Sequence, residues 1–408
     1  MDKSTNFTGQ PVYNQLLNFV KRAKIEKISR KTTGSEAYVK KLDGYTHLVI
    51  MLVGVMKHFD SLRELEIGMK AEAHKLHHLG IDYLARRSTL AEANKRRPQE
   101  FFAEVYRHLL HQYAPFLADS RNKTATKEWE RLLYMMDSTT ISLFDNILKG
   151  VGRHPKSGKK KGGMKVHTLM KYDVGVPMVV QLTSAAKHDH YLLKEVHLPK
   201  SSILAVDRAY IDIAEFERLT DEGVCYVTKM KKNLKFEVLK STTYVSPDGL
   251  VTHKDQNIKF ERGELKHYSR RVELWSENSQ KSVVLLTNNF EFSVEDIAEI
   301  YKRRWAIETL YKQLKQNFQL HFFYGDSVNA IQIQTWVTLI ANLLCTIVSR
   351  MIKRRCLFSQ VVTMARLMLM YYVDFIAFME APDASWESIG FRADLAPPGG
   401  VQLVLNLD

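Results

Sequence analysis

Cysteine is scarce. The 408 residues hold three, Cys225, Cys345 and Cys356, an odd number at spacings that match no paired metal-ligand pattern. A disulfide framework and a zinc ribbon are both excluded as organising devices, and reduced thiols suit a cytosol. No apolar stretch follows the basic residues of the N-terminus, so no secretory signal is predicted. Long apolar runs are missing as well. The most apolar segment, 336–348, contains Asn342 and two threonines and is too short to span a bilayer, so it reads as a buried helix. Acid is in deficit: 59 Lys and Arg stand against 45 Asp and Glu, a formal charge of +14 with a pI near 9.4. An excess of that size suggests an anionic partner, a nucleic acid before an acidic membrane surface.

What is present is a globular chain, 45% hydrophobic and 25% charged, long enough for roughly two or three domains. Residues 1–120 read as helical and basic, with apolar positions recurring at three and four over 13–20, 46–59 and 61–77. A short helix over 88–95 and another over 99–113, begun by Pro98, allow a helix-turn-helix; a plain bundle with basic edges fits equally well. A polar linker is placed at 121–131.

The pattern then changes. Residues 132–144 form a strand broken by Asp137, and 165–170 and 178–183 pair as two more about the turn at Asp173 to Pro177. The intervening loop carries Lys159, Lys160 and Lys161 among glycines, without an acid from Asp145 to Asp173. His188, Asp189 and His190 make a polar cluster at a helix start, with a metal-ligand role as the rarer alternative. A helix over 189–197 precedes 203–207, a buried strand that ends on Asp207. A helix at 213–221 and a strand at 224–228 follow, so 132–228 reads as a mixed sheet flanked by helices. Residues 229–290 carry short strands and turn residues, an all-β insertion. The region 291–380 is helical, with long apolar helices at 329–353 and 358–378, and 381–408 is an irregular tail.

Within the helix predicted from Ser293 to Phe318, one stripe collects Tyr301, Arg304, Glu308 and Lys315. At about 100° per residue the last three fall at roughly −60°, −20° and −40° from the first. Ile300, Ile307, Tyr311, Leu314 and Phe318 form the apolar stripe beside it, and Ser293 with Asp296 resembles a capping box. Taken alone, such a stripe describes a solvated face held by an Arg304–Glu308 pair. Asp137 and Asp207, each ordinary as a turn or helix cap, add two acids in apolar strand contexts. Three converging carboxylates can bind two Mg²⁺ ions, which activate a water or a 3′-hydroxyl against a phosphodiester.

Tyr301, Arg304, Glu308 and Lys315, at intervals of three, four and seven, resemble the signature of the insertion-sequence-four DDE transposases. The Asp-Ser-Thr at Asp137 and the Asp-Arg-Ala-Tyr at Asp207 are similar to that family's first two acid motifs, with Ala209 where glycine is common. The resemblance covers about 132–349. It implies an RNase H-like core, with Asp137, Asp207 and Glu308 as catalytic and metal-binding residues for Mg²⁺, or Mn²⁺ as substitute. It also implies cut-and-paste transposition at terminal inverted repeats in the bacterial cytoplasm, close to the nucleoid. Double-stranded DNA, as transposon ends and target, is the implied partner, held by a homodimer and with no membrane involved. Tyr301, Arg304 and Lys315 are expected at the DNA end. Lys159, Lys160, Lys161 and Lys165 are expected on phosphates, and Trp275, with Trp305 as its rival, on an unstacked base. The alternatives are a nuclease with the same core and a DNA-binding repressor without catalysis.

Overall fold

The computed structural model describes residues 9–33, 39, 41–122, 127–142, 163–184, 190–245, 251–276, 281–318, 320 and 323–384. The N-terminal third is helical: α1 (Val12–Leu17), α2 (Arg22–Thr33), α3 (Gly44–Lys57), α4 (Leu62–Ala71), a 3-10 turn at Ala73–Leu79, α5 (Arg87–Arg96) and α6 (Gln99–Asn122). Asp43 and Ser61 accept the amides of Thr46 and Glu64 and so satisfy orphan donors where α3 and α4 start. α3 is apolar all round and buried from Gly44 to Met56, as an interior helix must be. α6 does not stop at Tyr113. It continues through Pro115, which sits on the exposed side where its unpaired carbonyl partner can be hydrated, and Leu117 beyond it is fully buried. The α5–α6 turn belongs to the bundle rather than to a free helix-turn-helix. Buried Arg97 donates to the carbonyls of Leu42 and Asp43, and Asn329 donates to those of Asn94 and Arg97.

After a 3-10 turn at Glu128–Leu132 come β1 (Leu133–Ser142), β2 (Gly163–Lys171), β3 (Pro177–Ser184), α7 (His190–Glu195), β4 (Ile203–Val206), α8 (Ile213–Asp221) and β5 (Cys225–Lys229). β1, β2 and β3 are antiparallel neighbours, and β4 and β5 run parallel to β1. That order, β3-β2-β1-β4-β5, is the RNase H-like mixed sheet. The insertion supplies β6 (Glu237–Val245), β7 (Val251–Arg262), β8 (Leu265–Ser276) and β9 (Lys281–Thr287). It is not a separate β body. β9 pairs antiparallel with β5, and β8, β7 and β6 follow outward, making one nine-stranded sheet. Pairing with β9 covers the β5 edge, whose backbone groups would otherwise stay open.

The chain then forms α9 (Val294–Arg303), α10 (Trp305–Asn317), α11 (Val328–Met351), α12 (Phe358–Met368) and α13 (Phe375–Glu380). One sheet face, with Met136, Leu204, Val206 and Leu286, packs α7 and α8 through Leu193 and Phe216. The other, with Met135, Ala205, Val272 and Leu285, joins α9, α10, α11 and the N-terminal helices in one continuous core. α11 is long and apolar enough to cross a membrane, yet 94% of its most apolar window is buried by the rest of the chain. The helix predicted over 358–378 is instead α12 and α13. Between them the carbonyls of Leu369 and Tyr371 accept the amides of Tyr13 and Val12 and cap α1.

Candidate active site

The site begins with strand register. Met136 of β1 lies opposite Val206 of β4, so Asp137 and Asp207 each follow directly on a paired residue of two neighbouring strands about 4.8 Å apart. Side chains alternate along a strand, and Met136 and Val206 both face α8, so both acids take the other face, toward α9 and α10. Asp207 leaves its strand at once and caps the 3-10 turn Arg208–Tyr210 by accepting the Ala209 amide. Among the described residues only His58 and Ser201 are non-glycine residues with positive φ. Ala209 therefore fits where the resemblance leads to glycine.

The third acid arrives on a bent helix. Ser293 caps α9, but the predicted continuous helix breaks at Arg304, where i→i−3 bonds from Arg304 to Tyr301 and from Ile307 to Arg304 tighten the turn. α9 is fixed beside the start of β1 by Lys127 paired with Asp296 and Glu299, by Trp129 Nε1 donating to Asp296, and by Arg303 paired with Glu130. α10 is fixed to β1 itself. The Tyr311 hydroxyl donates to the Asp137 carbonyl at 2.9 Å, and the Lys315 ammonium to the Thr139 hydroxyl at 2.8 Å. Tyr311, predicted in the apolar stripe, thus also bonds the strand through its hydroxyl, the one polar side-chain atom on that stripe. Thr139 lies within the Asp-Ser-Thr motif, although no role marks it there.

Arg304 is the hub. Only 5% exposed, its guanidinium sits 2.8 Å from Glu308 Oε1 and 3.5 Å from Asp137 Oδ2, within 5.6 Å of the Tyr301 ring and 5.4 Å of the Trp305 ring. Its buried Nε has no hydrogen-bond partner among the described residues. Burial raises the Asp137 carboxyl to about 6; the Ser138 amide and Arg304 pull it down, while the negative fields of Glu308 and Asp207 push it up. That both acids act on Asp137 places the three carboxylates in one field. Burial also raises the Tyr301 phenol, with Asp207 adding and Arg304 opposing. Burial lowers the Lys315 ammonium, which is engaged with Thr139 rather than directed freely at solvent.

Among the described residues no three acidic, histidine or cysteine side chains already form a cage for a metal ion. The donors nevertheless fit a hard divalent cation: three carboxylates in one field, of which Asp137, raised by burial and by the other two, and Glu308 are bridged by the Arg304 guanidinium where a cation would relieve them. Occupancy would require Arg304 to give up Asp137.

The other sequence candidates separate. Lys159, Lys160 and Lys161, His188 and Asp189 of the histidine cluster and the tail from 385 lie outside the described residues, while His190 opens α7. Lys165 is half-buried on β2 opposite Thr140, so it shares the site's edge but projects from the face opposite Asp137. Trp275 is 51% exposed on β8, three strands and about 14 Å across the sheet from β4. Trp305 is 58% exposed and touches the acid site through Arg304, so of the two tryptophans it is the one beside the carboxylates.

Residues 128–344 match the family model of the transposase DDE domain, and residues 8–82 match a domain of unknown function, DUF4372. The chain belongs to the DDE-domain transposase family, and with it to the polynucleotidyl transferases; DDE transposase domains use divalent metal ions. It is similar to a protein of Sinorhizobium fredii named as transposase y4zB, 27% identical over 267 residues, or 64% of this chain and 71% of the relative. A Synechocystis protein named as the transposase of insertion sequence element IS4SA is 28% identical over 265 residues, 63% of this chain and 70% of the relative. One from Geobacillus stearothermophilus, named for element IS5377, is 25% identical over 226 residues, 55% of this chain and 59% of the relative. Among solved structures, a piggyBac transposase synaptic complex with hairpin DNA aligns with TM-score 0.44 and 11% identity, covering 97% of this chain and 87% of that one.

Proposed function

We propose that the protein is a transposase of the insertion-sequence-four type that cleaves and joins DNA strands at the terminal inverted repeats of its own element. Asp137, Asp207 and Glu308 would hold divalent cations, Mg²⁺ or Mn²⁺ in its place. The supporting observation is that Asp137 and Asp207 directly follow the paired residues Met136 and Val206, beneath a helix whose Arg304 contacts both Asp137 and Glu308. Bound cations would activate the attacking water or 3′-hydroxyl and stabilise the leaving oxygen. Tyr311 and Lys315 keep the strand bearing Asp137 and the helix bearing Glu308 in register. Tyr301, Arg304 and Trp305 line the approach, where Arg304 could exchange a carboxylate for a DNA phosphate.

Double-stranded DNA is the proposed partner, with Lys159, Lys160, Lys161 and Lys165 on its phosphates and two copies of the chain holding the two ends. Residues 1–120 are the proposed DNA-binding region, followed by a linker at 121–131, the catalytic core at 132–228 and 291–380, the insertion at 229–290 and the tail at 381–408. The surface of α2 supports that use of the N-terminal region: Lys24, Lys27, Arg30 and Lys31, with Lys21 just before it, are all exposed. The test is a duplex carrying the repeats that border the gene, incubated with protein, Mg²⁺ and supercoiled target DNA. Cleaved ends joined to target are expected. Cleavage without joining would reduce the protein to a nuclease, and binding without cleavage to a repressor.

A further inference from the structure

The sheet register that sets Asp137 beside Asp207 continues one strand further. Val206 lies opposite Thr228 of β5, so Lys229 follows Asp207 just as Asp207 follows Asp137, at about 4.8 Å per strand. Lys229 pairs with Leu285, which faces the α9 and α10 side of the sheet, so all three side chains share one face. Beyond Lys229 the chain reads Met-Lys-Lys-Asn-Leu-Lys-Phe, and from Gly223 to Phe236 it contains four lysines and no acid.

The loop is fixed rather than trailing. The Met230 amide donates to the Val284 carbonyl at 2.8 Å, Met230 is buried, and Leu234 packs on the same cluster. With those two anchors turned inward, Lys232 and Lys235 are exposed and Lys229 and Lys231 half-exposed. None of the four ammonium groups makes a hydrogen bond or ion pair among the described residues, whereas the side chains of Lys259, Arg270 and Arg271 of the neighbouring strands all do. Uncompensated cations held together repel one another, and a polyanion removes that cost.

We propose that Lys229, Lys231, Lys232 and Lys235 form a phosphate-binding ledge for duplex DNA, continuing the row of acids and gripping the backbone next to the scissile phosphate. The proposal rests on the reading of the three acids as a DNA-cleaving centre. One strand carries a phosphate every 3.4 Å or so of helix axis. With the scissile group at Asp137 and Asp207, its neighbours fall within reach of a lysine side chain rooted one strand away.

The experiment uses the full chain and its Lys229→Gln/Lys231→Gln/Lys232→Gln/Lys235→Gln variant. Affinity for a mixed-sequence duplex of about 30 bp is measured between about 50 and 200 mM salt. Each lost phosphate contact should flatten the log–log salt slope by about 0.9, so a reduction of about 2 to 4 is expected. A slope equal to that of the unchanged protein overturns the ledge. Its location is tested with a duplex bearing one neutral methylphosphonate beside the cut made by the unchanged protein. That substitution should weaken binding of the unchanged chain and leave the fourfold variant little affected, whereas equal losses in both would place the ledge elsewhere. If the fourfold variant fails to fold, Lys232→Gln/Lys235→Gln alters only exposed positions and carries the same slope test at about half the size. An unchanged protein that neither binds nor cuts duplex DNA would instead defeat the underlying reading, an outcome distinct from an unaltered slope.

Discussion

Asp137 is destabilised where it stands. Its carboxyl titrates near 6 in the folded chain, from burial and the fields of Glu308 and Asp207, against about 3.9 when unfolded. With the folded value above the unfolded one, the fold is favoured below the unfolded pKa. That advantage disappears as pH rises through 6. At neutral pH without metal the cost approaches about 3 kcal/mol as an upper bound. Asp137→Asn should therefore stabilise the metal-free protein by about 1–3 kcal/mol at pH 7.5, and by roughly half as much at pH 5. Urea denaturation at the two pH values checks this, and a variant less stable than the original at pH 7.5 would contradict it. The acids were legible in sequence because Asp137 interrupts one apolar strand and Asp207 ends another, where an unpaired carboxylate is costly. Arg304 was legible only as an angle on a helix. A solvated Arg304–Glu308 pair has the same spacing as this one with its guanidinium buried, so the contact of Arg304 with Asp137 and its place between Tyr301 and Trp305 depended on tertiary structure.

At the level of elements, strands and caps could be read because their signals are local. Asp137 and Asp207 lie on or just after the expected strands, and the capping role of Ser293 is visible in its spacing to Asp296. The break at Arg304 has no glycine or proline to announce it, and the persistence of α6 past Pro115 reverses the usual local rule because Leu117 is anchored beyond it. The insertion read as strands, but nothing in its own residues showed that β9 would extend the sheet of β5; that pairing is long-range. Ser293 both accepts the Asp296 amide and donates to its carboxylate, and Asp296 also receives Lys127 and Trp129. Ser293→Ala should cost about 1 kcal/mol, measured as a lower urea midpoint with unchanged slope. An unchanged midpoint would show that α9 is held by its ion pairs alone.

Over the whole molecule, the N-terminal helices and the catalytic sheet share one hydrophobic cluster, a union that periodicity could not reveal because it shows which face is apolar and not what covers it. Asn329 at the start of α11 bonds the carbonyls of Asn94 and Arg97 and accepts the Gln99 amide. Asn329→Ala should destabilise by about 1–3 kcal/mol and lower the midpoint of a single thermal transition. A separate early transition of the helical part would contradict a shared core. The excess of +14 charges suits the proposed hold on a polyanion, which the metal held by the three carboxylates would cut. Gel shift and Mg²⁺-dependent cleavage, run in parallel on end DNA with the unchanged chain and Glu308→Gln, test this most directly. Glutamine keeps the shape and the hydrogen bond from Arg304 but removes the charge that holds the ion. Cleavage should vanish while DNA binding persists or tightens; a Glu308→Gln protein that still cleaves at the original rate would remove α10 from the active site.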